Sequence, residues 1–279
     1  MLLIDGDIVV YKAGFGAQKT IRDDSESNGD IIPEPVTHAF HKVNLILNGV
    51  LAAVLPGTAV PTVVLEYGVD YRIYLTSTDK SNYRFKIAKT KEYKGNRKAG
   101  KPIHYDAIRE FMCEHWNAEV IYGMEADDKM GIEACRNPSE TVIASIDKDM
   151  LQIPCLHYNM DTGERVDALE GHSLELIKNN KKLIGFGIIW FYAQMLMGDN
   201  ADNIPGIPKY GPVKAYNALS GCNTELDMLK CTYGIYKDTY GDDAFEMLME
   251  VGDLLWILRN LGEYKSTHLK QLLIELGEK

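Results

Sequence analysis

Apolar residues come as short runs early in the chain and as helical stripes later. Leu2-Leu3-Ile4 runs into Asp5-Gly6-Asp7 and resumes at Ile8-Val9-Val10. This reads as a buried strand with a carboxylate at its carboxyl end, where open α/β sheets present ligand-binding groups. Residues 19–35, rich in Ser, Asn, Gly and Pro, predict a surface excursion. Phe40, Val43, Leu47, Val50, Leu51 and Val54 then recur at helical spacing, predicting a helix over 37–55 with Thr37 as its cap. Strands are expected at 62–66 and 72–76, the second followed closely by Asp79.

The same reading places a helix at 105–116, a strand at 119–122, a helix at 126–135 and a buried strand at 141–146 that ends on Asp147. Two more strands, 155–159 and 164–168, flank the turn Asp161-Thr162-Gly163. Strands alternating with helices imply an α/β fold with a mostly parallel sheet and crossover connections. After Gly171 the pattern predicts helices only, at 173–179, 187–197, 212–219, 225–229, 243–259 and from 266 onward. Pro212 suits a first helical turn and Asp242 an N-cap. The expected boundary is near residue 184, with an α/β part over 1–184 and a helical part over 185–279.

Composition narrows the class. A hydrophobic content of 46% with 25% charged residues suits a globular core rather than a disordered chain. Five cysteines without a C-x-x-C pair fit a reducing cytosol better than a disulfide or zinc framework. Asp5 and Asp7 interrupt the first apolar run, so no signal peptide is expected, and the apolar stretch 188–197 is too short to span a bilayer. The expectation is a soluble cytoplasmic protein. A net charge of −10 speaks at first against nucleic acid. Between Lys80 and Lys101, however, nine cations face a single acid, Glu92, with Tyr83, Phe85 and Tyr93 interleaved. Such cations can neutralise phosphates while aromatics stack on bases. The segment 80–102 is therefore read as a basic crossing outside the core, with a solvated loop as the plain alternative.

Acids at element edges carry the chemistry: Asp5 and Asp7; Asp79; Glu125, Asp127 and Asp128; Asp147 and Asp149; and, in the helical part, Asp199 and Asp202. Asp147 and Asp149 point the same way if extended. Glu125 with Asp128, and Asp199 with Asp202, can share a helical face. Packed carboxylates repel one another unless a cation sits among them, and hard divalent ions take oxygen ligands. For any single pair a cap or surface charge is the plainer explanation; recurrence at several strand ends favours a metal site. Histidines are scattered, and neither a G-x-S-x-G elbow nor a Walker loop is present. Beside Asp202, the turn from Asn203 to Pro212 carries Gly206 and Gly211, and such a turn can bring helix N–H groups to phosphate, assisted by Lys209 and Lys214.

Together, Asp5-Gly6, Glu92-Tyr93-Lys94-Gly95-Asn96-Arg97, Glu125-Ala126-Asp127-Asp128, Ser145-Ile146-Asp147-Lys148-Asp149 and Gly198-Asp199-x-x-Asp202-Asn203-Ile204-Pro205-Gly206 resemble the 5′-nuclease (flap endonuclease) family. That family includes phage 5′→3′ exonucleases and the 5′-nuclease domain of bacterial DNA polymerase I. The resemblance covers about residues 1–220. It implies a PIN-like domain followed by an all-α helix-three-turn-helix module that grips DNA. It further implies a two-metal Mg²⁺ site in which Mn²⁺ can substitute, and K⁺ as a candidate at the turn. By that resemblance Asp5, Asp79, Glu125, Asp127 and Asp128 hold one metal, and Asp147, Asp149, Asp199 and Asp202 the other. Lys94 and Arg97 stand over the scissile phosphate, Tyr93 stacks on the terminal base and Arg84 contacts a nearby phosphate. Asp7, where many relatives are uncharged, is read as a supporting residue. The expected partners are DNA 5′ ends, flaps and RNA–DNA primers, met by a monomer in phage replication. The alternatives are a PIN-like endoribonuclease and a non-catalytic DNA-junction binder.

Overall fold

The computed structural model describes residues 1–21, 30–55, 70–97, 100–177, 179 and 182–278. β1 (Leu2–Asp5) runs directly into α1 (Gly6–Gly16), and Asp5 caps the helix by accepting from the Ile8 N–H at 3.2 Å. A Cβ at Gly6 would lie 2.5 Å from the Tyr74 carbonyl oxygen, so only glycine lets the helix start this close to the next strand. The polar excursion is an antiparallel hairpin of β2 (Gln18–Ile21) and β3 (Asp30–Pro33). α2 (Val36–Val54) starts one residue ahead of Thr37, which therefore sits in the first turn instead of capping it. The expected strand at 62–66 lies outside the described residues.

There follow β4 (Tyr71–Thr76), the single turn α3 (Arg84–Ile87), α4 (Tyr105–Trp116), β5 (Glu119–Ile121), α5 (Ala126–Ala134), β6 (Val142–Ser145), β7 (Leu156–Asn159) and β8 (Arg165–Asp167). The sheet order is β5-β4-β1-β6-β7-β8, parallel throughout except for β8. Side chains alternate between its faces. Leu2 and Ile4 pack with Val9, Val43, Leu47, Ile108 and Met112 of α1, α2 and α4. Leu3, Tyr74 and Ile143 pack with Ala126 and Met130 of α5. Burial of each large apolar side chain contributes about 1.5–3 kcal/mol. Both faces are thus covered, and the carboxyl ends of β4, β1 and β6 open on one edge.

After Gly171 the chain is not helical at once. β9 (Ser173–Ile177) and β10 (Lys182–Phe186) form an antiparallel hairpin where a helix over 173–179 was expected. The segment Ser-Leu-Glu-Leu-Ile has a period of two: Leu174 and Leu176 pack on the helical core while Ser173 and Glu175 face out. Residue 184, the expected boundary, lies within β10.

The remaining elements are α6 (Ile188–Met197), the two-residue strands β11 (Gly198–Asp199) and β12 (Ile204–Pro205), α7 (Pro212–Leu219), α8 (Glu225–Tyr240), α9 (Ala244–Leu255) and α10 (Lys265–Glu275). α8 extends far beyond the expected 225–229, because a Thr224–Asp227 capping box starts it and Met228, Leu229, Thr232, Tyr233 and Tyr236 bury one face. Asp242 falls in a 3-10 turn, Gly241–Asp243, and does not cap α9. α9 stops at Leu255, short of the expected 259. Ile257 then joins the α5 side of the sheet, while Trp256 and Leu258 on either side of it stay in the helical core cluster.

Candidate active site: an acid-lined cavity at the strand ends

A cavity of about 180 Å³ opens where β1, β4 and β6 end, and Asp5, Asp7, Glu125, Asp127, Asp147, Asp149 and Asp202 line it together with Thr76, Tyr93, Lys94 and Arg97. Several of these acids owe their position to a capping bond. Asp5 caps α1, and Asp147 caps the 3-10 turn Lys148–Gln152 by accepting from the Asp149 N–H at 2.8 Å. Glu125 and Asp128 form the reciprocal capping box of α5. The plain reading of a strand-end acid as a cap is therefore correct locally, and the same geometry aims Asp5 and Asp147 into one space.

Ser145, the last residue of β6, joins two of them: its hydroxyl donates to Asp5 at 2.7 Å and accepts from the Asp147 N–H at 3.0 Å. Gln194, the one amide in the apolar helix α6, donates to Asp149 at 2.5 Å and to it alone among the acids. Neither residue belonged to the expected site. A lone amide in an otherwise apolar helix must find a buried partner, and that was the available signal.

Electrostatics divide the acids. Burial first, then Asp7 and Asp147 nearby, push the Asp5 carboxyl up to about 7. Burial followed by Asp5, Asp147 and Glu125 raises Asp127 well above the carboxylate range. Burial also raises Asp147, reinforced by Asp202 and Asp199, and raises Asp149 strongly, reinforced by Asp147 and Asp199. Glu125 goes the other way: burial pushes it up, but Lys94 and Arg84 more than offset that and leave it below its ordinary value.

The cations come from the segment expected to cross outside the core. Lys94 bonds Glu125 and lies 3.7 Å from Asp202. Arg97 donates to Asp202 at 2.5 Å. The segment is sewn to the acidic turn: the Lys94 N–H donates to the Asp202 carbonyl at 2.9 Å, Asn203 Nδ2 to the Glu92 carbonyl at 2.8 Å, and Asn96 Nδ2 to the Asn200 carbonyl at 2.6 Å. That turn is compact because Gly198 and Gly206 touch backbone to backbone. A Cβ at Gly198, where φ is +71°, would sit 2.3 Å from the Gly206 nitrogen.

Three expected acids stand outside the cavity wall, and Arg84 plays a different part within it. Asp79 is exposed, accepts from the Ser81 N–H at 2.9 Å and does not line the cavity, because the chain has already left the sheet after Thr76. Asp128 is fully buried and turned away: Arg84 meets it with bonds of 2.6 and 2.9 Å, and it accepts from the Leu258 N–H at 3.1 Å. Asp199 is buried behind Asp149 and accepts from the Ala201 N–H at 2.7 Å. Arg84 also lines the cavity, but it is 3% exposed and spends its other donors on the Leu254 and Trp256 carbonyls, so it acts as a structural pin in the cavity wall.

Tyr93 is equally buried. Its hydroxyl donates to Asp202 at 2.6 Å, lies 2.9 Å from Glu125, and its ring packs edge-on against Phe85. The basic segment is therefore partly core, and Tyr93 offers no free face for stacking on a base. Lys209 and Lys214 are exposed on either side of the turn that opens α7, with Gly211 at its N-cap and Gly206 beneath. Among the described residues no group of three or more His, Cys, Asp or Glu is arranged to hold a metal ion; what unites the acids is the cavity they line. Among them, too, no helix is long and apolar enough to cross a membrane.

No protein-family model matches the chain. It is 27% identical over 237 residues to DNA polymerase I of Bacillus caldotenax, covering 82% of this chain and 24% of that protein. It is 26% identical over 221 residues to a 5′-3′ exonuclease of Buchnera aphidicola, covering 76% of this chain and 66% of that one. The chain thus spans less than two thirds of the length of these relatives. Among solved structures, a bacteriophage T5 flap endonuclease in a pseudo-enzyme–product complex with DNA and metal ions superposes with a TM-score of 0.52 at 13% identity, covering 99% of this chain and 93% of that one. The T5 protein co-crystallised with metal ions matches equally, at 0.52 and 15%. The α/β sheet with its helical carboxyl-terminal region is the fold of that exonuclease. In sequence the chain is thus similar to DNA polymerase I and 5′-3′ exonuclease relatives, and in fold to the T5 protein, the direction in which its motifs pointed.

Proposed function

We propose that the chain is a divalent-metal-dependent 5′-nuclease that hydrolyses DNA phosphodiester bonds at or near 5′ ends, as a 5′→3′ exonuclease or flap endonuclease. The observation that carries this is the wall of the cavity: seven carboxylates from four chain segments, five of them pushed up by burial and mutual repulsion, beside the cations Lys94 and Arg97. An all-oxygen donor set of this charge suits Mg²⁺, with Mn²⁺ as a substitute, better than softer ions. Asp5, Glu125 and Asp127 would hold one ion and Asp147, Asp149 and Asp202 the other. When bound, such ions supply an activated water and neutralise charge on the phosphoryl oxygens.

The chain's own residues do the rest. Ser145 and Gln194 fix Asp5 and Asp149 by donating to them, so the acids meet their ligand already oriented. Tyr93 holds Asp202 and Glu125 at a set spacing. Lys94 and Arg97 place positive charge where a phosphodiester would enter, lowering the cost of charge that builds there during cleavage. Residues 185–279 would take the duplex, through backbone N–H groups at the start of α7 with Lys209 and Lys214 beside them. We extend the proposal to K⁺ at that turn's carbonyls.

The test is degradation of 5′-labelled duplex and flap DNA with Mg²⁺ or with EDTA, alongside matched RNA substrates. Cleavage that needs Mg²⁺ and prefers DNA supports the reading. Preference for RNA would favour a PIN-like ribonuclease, and no Mg²⁺-dependent cleavage of any 5′-ended substrate would leave a junction binder.

A further inference from the structure

Three neighbouring strands of the sheet end at the cavity. β1 ends on Asp5 and β6 leads through Ser145 to Asp147, so each delivers an acid. β4, between β5 and β1, ends on Thr76, which has no charge. The acid expected for this strand, Asp79, lies three residues further on, exposed and tied to Ser77 and Ser81. Its hydrogen bonds, chiefly from Ser81, hold it below the usual carboxylate range, as suits a surface turn.

The end of β4 is nevertheless not without a carboxylate. Asp7, in the first turn of α1, reaches across to it. Its Oδ2 accepts from the Thr76 N–H at 3.1 Å and its Oδ1 from Arg109 at 3.2 Å, while Arg109 also donates to the Thr76 carbonyl at 2.8 Å. Asp7 lines the cavity alongside Asp5 and Asp127. Two oxygens with about four acceptor positions leave room for a ligand after these bonds.

We infer that Asp7, delivered from α1 to the end of β4, is the metal-binding acid of that strand, and that Asp79 has no part in metal binding. The role rests on the nuclease reading above and assigns the ligand within it. Thr76 contributes its N–H to orient Asp7, and its hydroxyl accepts from the Ala126 N–H at 3.0 Å, which fixes the start of α5 beside Asp127. Arg109, 8% exposed, sets the carboxylate's direction from the α4 side.

The competing role for Asp7 is purely structural, a pin between α4 and β4, and one substitution separates the two. Asp7→Asn keeps an oxygen that can accept from Thr76 and removes the charge. Calorimetric titration with Mn²⁺ should show binding weakened roughly 10- to 100-fold in Asp7→Asn, by the usual effect of disturbing a ligand set, and unchanged in Asp79→Asn. The double variant Asp7→Asn, Thr76→Asp puts the acid back on the strand itself and should recover much of the affinity, which a packing role for Asp7 would not predict. Wild-type affinity in Asp7→Asn, or weakened binding in Asp79→Asn alone, overturns the assignment while leaving the nuclease reading intact. Absence of Mn²⁺ binding to the wild-type chain overturns both. Circular dichroism confirms that each variant titrated is folded.

Discussion

Asp127 and Asp128 are adjacent in sequence and live in opposite worlds. Asp128 faces the interior, where Arg84 grips both its oxygens and the Leu258 N–H takes a further position, so a buried charge is fully matched. Asp127 faces the cavity with Asp5, Asp147 and Glu125 for neighbours, and burial with this repulsion outweighs the nearby Lys94 and drives its carboxyl up. Glu225 repeats the first pattern: burial raises it, yet Lys265 and His268 bring it below its ordinary value. Burial alone therefore does not mark a functional acid. Asp128 and Glu225, each matched by its own cation, hold the fold together, whereas Asp127, left among other acids, awaits a cation from outside.

The widest separation comes from breaking the matched side. Asp128→Ala leaves Arg84 buried without its partner and should lower unfolding free energy by about 3–5 kcal/mol, read by urea denaturation. It would also loosen the 256–258 segment that joins the two halves. The unmatched side should respond in the opposite sense. Asp127→Asn removes a repelled charge, so in EDTA the variant should be more stable than wild type by about 1 kcal/mol, a rise in Tm of roughly 2–4 °C for a chain of this size. Mn²⁺ should raise the wild-type Tm, and raise that of Asp127→Asn much less.

A pH series sharpens the same contrast. Asp5 is held at about 7, above its unfolded value of 3.8, so the native state keeps a proton that the unfolded chain has lost. The resulting stabilisation is complete below about pH 4 and is lost as pH rises through 7. Asp5→Asn retains a competent N-cap and has no charge to repel. In metal-free buffer its Tm advantage over wild type should therefore be near zero at pH 4 and grow up to pH 8. The smallest effect belongs to the periphery. Glu133 is already served by Arg72 and Lys129, so Arg136→Ala at an exposed pair should change stability by less than about 0.5 kcal/mol.

Much of the fold was legible because local periodicity and the strand-end acids agreed: β1, α4, α5, β6 and their order follow from apolar spacing. The 173–186 hairpin escaped because a five-residue apolar alternation carries little weight beside the helices that follow it. The site was legible wherever an acid also ends a strand or caps a helix, as Asp5, Glu125 and Asp147 do. It failed where sequence distance hides a partner. Nothing local pairs Arg84 with Asp128, 44 positions apart, or sends Tyr93 and Arg84 into the core from a segment dominated by lysines. Asp79 and Asp7 show the same limit: Asp79 is the acid that follows β4 along the chain, yet it is Asp7, brought over by α1, that bonds the Thr76 N–H.

The central claim is that the unmatched acids of the cavity perform the chemistry while other surfaces bind the substrate. The most direct measurement compares wild type and Asp147→Ala on a 5′-labelled flap in Mg²⁺, following cleavage and DNA binding in the same samples. The account predicts that Asp147→Ala loses cleavage, by about 100-fold or more for a group that organises a metal-assisted step, and binds the flap nearly as wild type does. Cleavage by Asp147→Ala at the wild-type rate would contradict it.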